Sequence, residues 1–194
     1  MNYESSLSIR FRGKGIPYGA GDRENGDRNH GFMNLKSDLA LLLEVPELQT
    51  DVDLMQLMAT INAPETGLFS VGCLSGSQTD GDRHWMTGYV EFAWNSISQS
   101  REVQNYFPVF FCFGRLLNDC QFAEPIRFHW QMEPAHFFES NSDGWTCSIT
   151  ITTRGFATID EAKQCWAEGI HLLAEYLSSI QIEGTDSIYA SGAT

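Results

Sequence analysis

The sequence predicts an α+β fold, an antiparallel-rich or mixed sheet of about five strands with helices packed on one face. Three observations lead there. Residues 145–154 alternate almost without a break, so that Trp145, Cys147, Ile149 and Ile151 face a core while Thr146, Ser148, Thr150 and Thr152 face away. Gly155 ends that strand, and Thr158 stands three residues before Glu161, the spacing of a capping box in which each side chain satisfies the other's free backbone N–H. From there Ile159, Ala162, Trp166, Ile170, Leu173, Leu177 and Ile180 form the apolar stripe of a helix over 158–180, with Asp160, Lys163, Gln164, Glu168, His171 and Glu175 opposite. Finally, residues 67–118 and 125–181 share one order of elements (strand, polar turn, strand, helix) without sharing sequence.

The remaining elements follow in order. Leu7, Ile9 and Phe11 alternate with Ser8, Arg10 and Arg12, which predicts a first strand. Residues 13–31 read as a long loop rich in Gly, Asp and Arg. Leu35, Leu39, Leu42 and Leu43 predict a helix over 34–45, stopped by Pro46. Asp51 opens a second helix carrying Leu54, Leu57, Met58 and Ile61, which ends at Asn62 and Pro64. Leu68 to Leu74 reads as a buried strand, Ser75 to Asp82 as a polar turn, and strand pattern resumes at Trp85 with Met86, Val90, Phe92 and Trp94 on one face. Residues 107–117 fit either a helix or a buried strand, and Pro108 in a first turn favours the helix. Ile126, Phe128, Trp130 and Met132 supply the next apolar strand face, opposite Arg127, His129, Gln131 and Glu133. At 194 residues the chain is expected to form one domain, 1–194, with a flexible tail at 183–194.

Composition narrows the function classes. The five cysteines fall mostly in apolar periodic segments, with no CxxC or CxxH pair, and read as reduced, core-filling thiols of a cytoplasmic protein. No apolar run approaches a membrane span, and the N-terminus lacks a signal-peptide pattern. The net charge of −13 disfavours nucleic acid and anionic membrane as partners and favours a basic protein. That charge is uneven: residues 1–30 hold five cations against four anions, leaving −14 to the rest.

No catalytic set, metal site or cofactor motif is complete. His129, Glu133 and His136 have helical metal-ligand spacing, but they lie in a segment that alternates as a strand and contains Pro134. The glycine-rich loop is neither GxxxxGK[ST] nor GxGxxG. The expected function is therefore non-catalytic: an acidic cytoplasmic binding protein that docks a protein partner, similar in size, acidity and lack of signature to inhibitor and immunity proteins. The alternative is a small anionic ligand, bound on the polar sheet face and under the glycine-rich loop. Its site would comprise Arg10, Arg12, Lys14, Arg23, Arg28, Tyr89, Glu91, Arg127, His129 and Glu133, with Arg12 and Arg127 converging on one pocket.

Overall fold

A computed structural model describes residues 2–22, 28–181 and 186–190, with the backbone alone at Arg28. Eight strands are present among them: β1 (Tyr3–Ile9), β2 (Lys14–Ile16), β3 (Gly21–Asp22), β4 (Arg28–Asn29), β5 (Leu68–Asp80), β6 (Arg83–Trp94), β7 (Ile126–Phe137) and β8 (Ser142–Thr153). The α-helices are α1 (Val52–Asn62), α2 (Ile97–Arg101), α3 (Phe107–Asp119) and α4 (Ile159–Ser178). Six strands form one mixed sheet in the order β1-β7-β8-β6-β5, with β2 beside β7 beyond the end of β1. β1 and β2 run parallel to β7, whereas the β5-β6-β8-β7 ladder is antiparallel. The fold is thus α+β with a mixed sheet, as the periodicity predicts.

The C-terminal half follows the sequence closely. Thr158 and Glu161 form the reciprocal capping box of α4, and Trp166 and Ile170 are buried while His171 and Glu175 are exposed. Asp51 caps α1 through the Leu54 N–H at 2.9 Å, and its second oxygen accepts the Trp166 indole N–H at 2.9 Å. One carboxylate therefore starts one helix and ties the other to it. Residues 107–117 are helical, with Pro108 in the first turn, where its missing N–H costs nothing.

Several boundaries differ from expectation, each for a physical reason. The first strand begins at Tyr3 and ends at Ile9, so Arg10 and Arg12 lie beyond it. After the Arg10 N–H bonds the Met132 carbonyl at 2.9 Å, the chain leaves β7 before rejoining it as β2, and Phe11 stands 82% exposed instead of facing a core. In place of a helix over 34–45 there is a 3-10 helix, Leu39–Glu44, capped by Asp38, followed after Val45 by a second short one, Pro46–Leu48. The predicted polar turn at 75–82 is mostly ladder: β5 runs to Asp80, and only Gly81, at φ +59°, and Asp82 turn. Both faces are wet there, so composition mimics a turn while cross-strand pairing keeps the chain extended. The stretch 13–31 contains β2 and the β3–β4 pair, with 23–27 outside the described residues. In the predicted tail, residues 186–190 are docked: Ile188 and Tyr189 are buried, and Asn95 bonds the Tyr189 backbone through both its amide atoms. The rest of 183–194 lies outside the described residues.

Two apolar clusters result, one on each face of the sheet. The larger packs Phe92, Trp130 and Ile149 under α1, α3 and α4. The smaller lies at one end of the opposite face, where Phe69, Val71, Ala93, Ala135 and Phe137 meet Ile16, Ile188 and Tyr189. The helices α1, α3 and α4 thus cover one face, whereas the short α2 packs on the other, where Ile97 joins the smaller cluster and the Ser100 carbonyl lies over Gly144, so the polar face is open over only part of its length.

Candidate functional site

The polar face carries the predicted residues, and the strand register decides which of them meet. Lys14 pairs in register with Ala135, and Glu91 faces Ser148 as Glu133 faces Thr146, so all three side chains rise from one side of the sheet. The Lys14 ammonium bonds Glu91 and lies 3.2 Å from Glu133, with side chains only 28%, 10% and 17% exposed. Burial works against the charge of Lys14, yet the two carboxylates outweigh it and hold the ammonium above its ordinary pKa. This group is a structural tie, since its one cation is already shared by two anions. Lys14→Met is expected to cost about 2 kcal/mol by leaving the two carboxylates facing each other. Chemical denaturation checks this, and Glu91→Gln in the same chain is expected to restore most of the loss.

The other predicted residues lie elsewhere. Arg127 pairs with Glu4 at 2.8 Å, both side chains 60% exposed, and Glu133 lies roughly 20 Å further along the same strand. Arg10 and Arg12 are exposed on the connection between β1 and β2. Arg12 and Arg127 therefore line no common pocket. Arg23 lies outside the described residues, as does the side chain of Arg28. His129 sits between two serines, Ser6 at 2.9 Å from Nδ1 and Ser8 at 3.0 Å from Nε2. Both ring nitrogens are occupied by hydroxyls, and neither contact supplies the carboxylate that orients a catalytic histidine. Among the described residues no three His, Cys, Asp or Glu side chains are grouped so as to hold a metal ion, and no helix is long and apolar enough to cross a membrane.

The best-formed concavity lies at the β5 edge of the sheet. There β5 carries an irregularity between Ser70 and Gly72, and a cleft of about 230 Å³ opens between this edge, the 3-10 turn at Pro46 and the chain segments around Tyr18 and His30. Its floor is apolar, with Met33, Leu35, Val45 and Met58. Its mouth is polar. The Tyr18 hydroxyl donates to the Val71 carbonyl at 2.8 Å, and His30 Nδ1 lies 2.8 Å from Glu47 Oε1. A Cβ on Gly72 would stand 2.9 Å from the Tyr18 hydroxyl and 3.7 Å from that of Tyr89, so glycine is what lets the two phenols converge over the strand. Burial, reinforced by Tyr89 and Glu91, raises the Tyr18 pKa and keeps the phenol neutral. Burial, with the charges of Glu47 and Asp51, pushes the Cys73 thiol up to about 12, the reverse of what a nucleophilic cysteine needs.

Of the cleft residues, only Tyr89 is among those expected from sequence. Tyr18 and His30 sit in the glycine-rich stretch, whose composition points to its arginines instead. Glu47 is brought to the cleft by the turn that Pro46 begins, and no periodicity announces it. The chain matches no family model, no curated protein and no solved structure.

Proposed function

We propose that the chain is a non-catalytic, cytoplasmic, acidic binding protein, inhibitor- or immunity-like, that docks a basic protein partner. The observation that carries this reading is the segment 38–53. It holds Asp38, Glu44, Glu47, Asp51 and Asp53 with no lysine or arginine, and it leaves Leu43 72% and Val52 75% exposed. Of these acids Asp51 is buried as the cap of α1, and exposed apolar side chains on a segment carrying the other four suit a partner whose contact surface mixes aliphatic groups with cations. Folding removes one positive charge from the surface, because Lys36 is 2% exposed. The anionic-ligand alternative has less support, since Lys14 and Arg127 already have carboxylate partners.

The test is capture of a partner from the native host, followed by binding kinetics with the purified pair. Association is expected to slow about tenfold from low to high salt, because steering fields are screened within about 10 Å at 0.1 M. Leu43→Lys is expected to weaken binding at least tenfold without lowering Tm. A partner whose association ignores salt, or one that binds the Leu43 variant unchanged, would overturn the reading.

A further inference from the structure

The cleft at the β5 edge has a size and an electrostatic character that together select a ligand class. At about 230 Å³ it falls below the roughly 300 Å³ at which pockets for drug-sized ligands begin, so it suits one functional group on a short stem and not a nucleotide-sized cofactor. Among the described residues its lining contains one carboxylate, Glu47, and no lysine or arginine. The cationic candidate in that lining, His30, is already paired with the carboxylate through one oxygen. The Tyr18 hydroxyl donates its proton to the Val71 carbonyl, so it has only lone pairs left to offer a ligand. The Cys73 thiol and the Tyr18 phenol both resist ionisation, with burial as the main cause and nearby Glu47, Asp51 and Glu91 adding to it. Burial opposes a charge of either sign in this cleft, but an anion would in addition face the Glu47 carboxylate, whereas a cation would gain it as a partner.

We propose that this cleft binds a single ammonium or guanidinium group carried on a short apolar stem, with the stem against Met33, Leu35 and Met58 and the cation against the Glu47 carboxylate and the Tyr18 hydroxyl oxygen. The docking reading enters only as one source of that group, a lysine or arginine side chain of the partner; a free alkylamine is the other.

The experiment is an amide-resolved NMR titration of the full chain with butylammonium, using butyrate and butanol as controls with the same stem. Butylammonium is expected to shift Tyr18, His30 and Gly72 saturably, butanol to bind at least tenfold more weakly, and butyrate to leave these signals in place. Glu47→Gln preserves an oxygen for His30 and is expected to weaken butylammonium about tenfold, with the spectrum itself reporting that the fold is intact. A response to butyrate equal to that for butylammonium, shifts confined to other surfaces, or an unchanged affinity in the Glu47 variant would each overturn the proposal. Nα-acetyl-lysine methylamide separates the sources: binding tighter than butylammonium assigns the cleft to a partner's side chain, and exclusion assigns it to free amines. Failure of all the amines removes the site but leaves the docking reading to be judged by capture and by Leu43→Lys.

Discussion

Gly88→Ala is expected to destabilise the protein by about 3–4 kcal/mol and to lower Tm by roughly 6–16 °C. Gly88 lies in β6 on the helix-covered face, between Met86 and Val90, directly beneath α4. A Cβ there would collide with the Leu74 carbonyl oxygen, and it would stand 2.8 Å from Trp166 Cη2 and 2.9 Å from Ser75 Cα. Two of those three obstacles are backbone of the neighbouring strand and cannot yield without loosening the β5–β6 ladder. The third is the indole whose N–H holds Asp51, the cap of α1, so displacing it loosens two helices at once. Thermal unfolding measures the loss, and near-ultraviolet circular dichroism should report the altered Trp166 environment. Gly114→Ala is the control. Gly114 lies within α3 with nothing within 4 Å of its added Cβ, so alanine is expected to stabilise by about 0.5–1 kcal/mol through helix propensity. A Gly88→Ala variant as stable as the parent would mean that α4 does not seat on this strand as described.

The stability difference between the parent chain and Lys36→Met is expected to shift by roughly 3 kcal/mol in favour of the parent between pH 8 and pH 10.5. Lys36 is buried with no carboxylate bonded to it among the described residues. Its ammonium donates to the Ala63 carbonyl at 2.6 Å, the Thr66 carbonyl at 2.8 Å and the Thr66 hydroxyl at 3.1 Å, just past the C-terminal end of α1. Those acceptors suit a cation at a helix C-terminus, yet loss of water dominates and lowers the pKa from 10.5 to about 8. The sign follows from proton counting. Below pH 8 the folded and unfolded chains both carry the proton, and the full cost of burying the charge is present. Between pH 8 and 10.5 the unfolded chain binds more protons, so the parent's stability rises with pH while the variant lacks this contribution. Near neutral pH two effects oppose each other in the variant: relief of the buried charge, and a Thr66 carbonyl left without its donor at about 1–3 kcal/mol. The difference there should be small, within about 1 kcal/mol. Urea titrations of both proteins across this pH range provide the check, and parallel profiles would show that Lys36 is not desolvated.

Legibility from sequence followed the strength of each local signal. The capping box of α4, the cap at Asp51 and the alternation of β8 each engage residues close in the chain, and each appears where periodicity put it. The extension of β5 through Ser75 to Asp80 was not legible, because its residues are nearly all solvated and polar and the β6 partner strand keeps them extended. Arg10 and Arg12 looked like members of the first strand because they alternate with Ile9 and Phe11. Strand pairing with β7 stops at Ile9, and alternation cannot record where a neighbouring strand ceases to be in reach.

The sequence by itself determined the α+β class, the two long amphipathic helices with their caps, the apolar face of the central strands and the acidic excess, all properties set by neighbours a few residues apart. Tertiary structure alone decided that Lys14 spends its charge on Glu91 and Glu133, that Arg127 stays with Glu4, and that Tyr18, His30 and Glu47 meet at the β5 edge. These contacts depend on strand order and register, which couple residues far apart in the chain. Charge and periodicity are local quantities, and they do not specify which strand lies beside which.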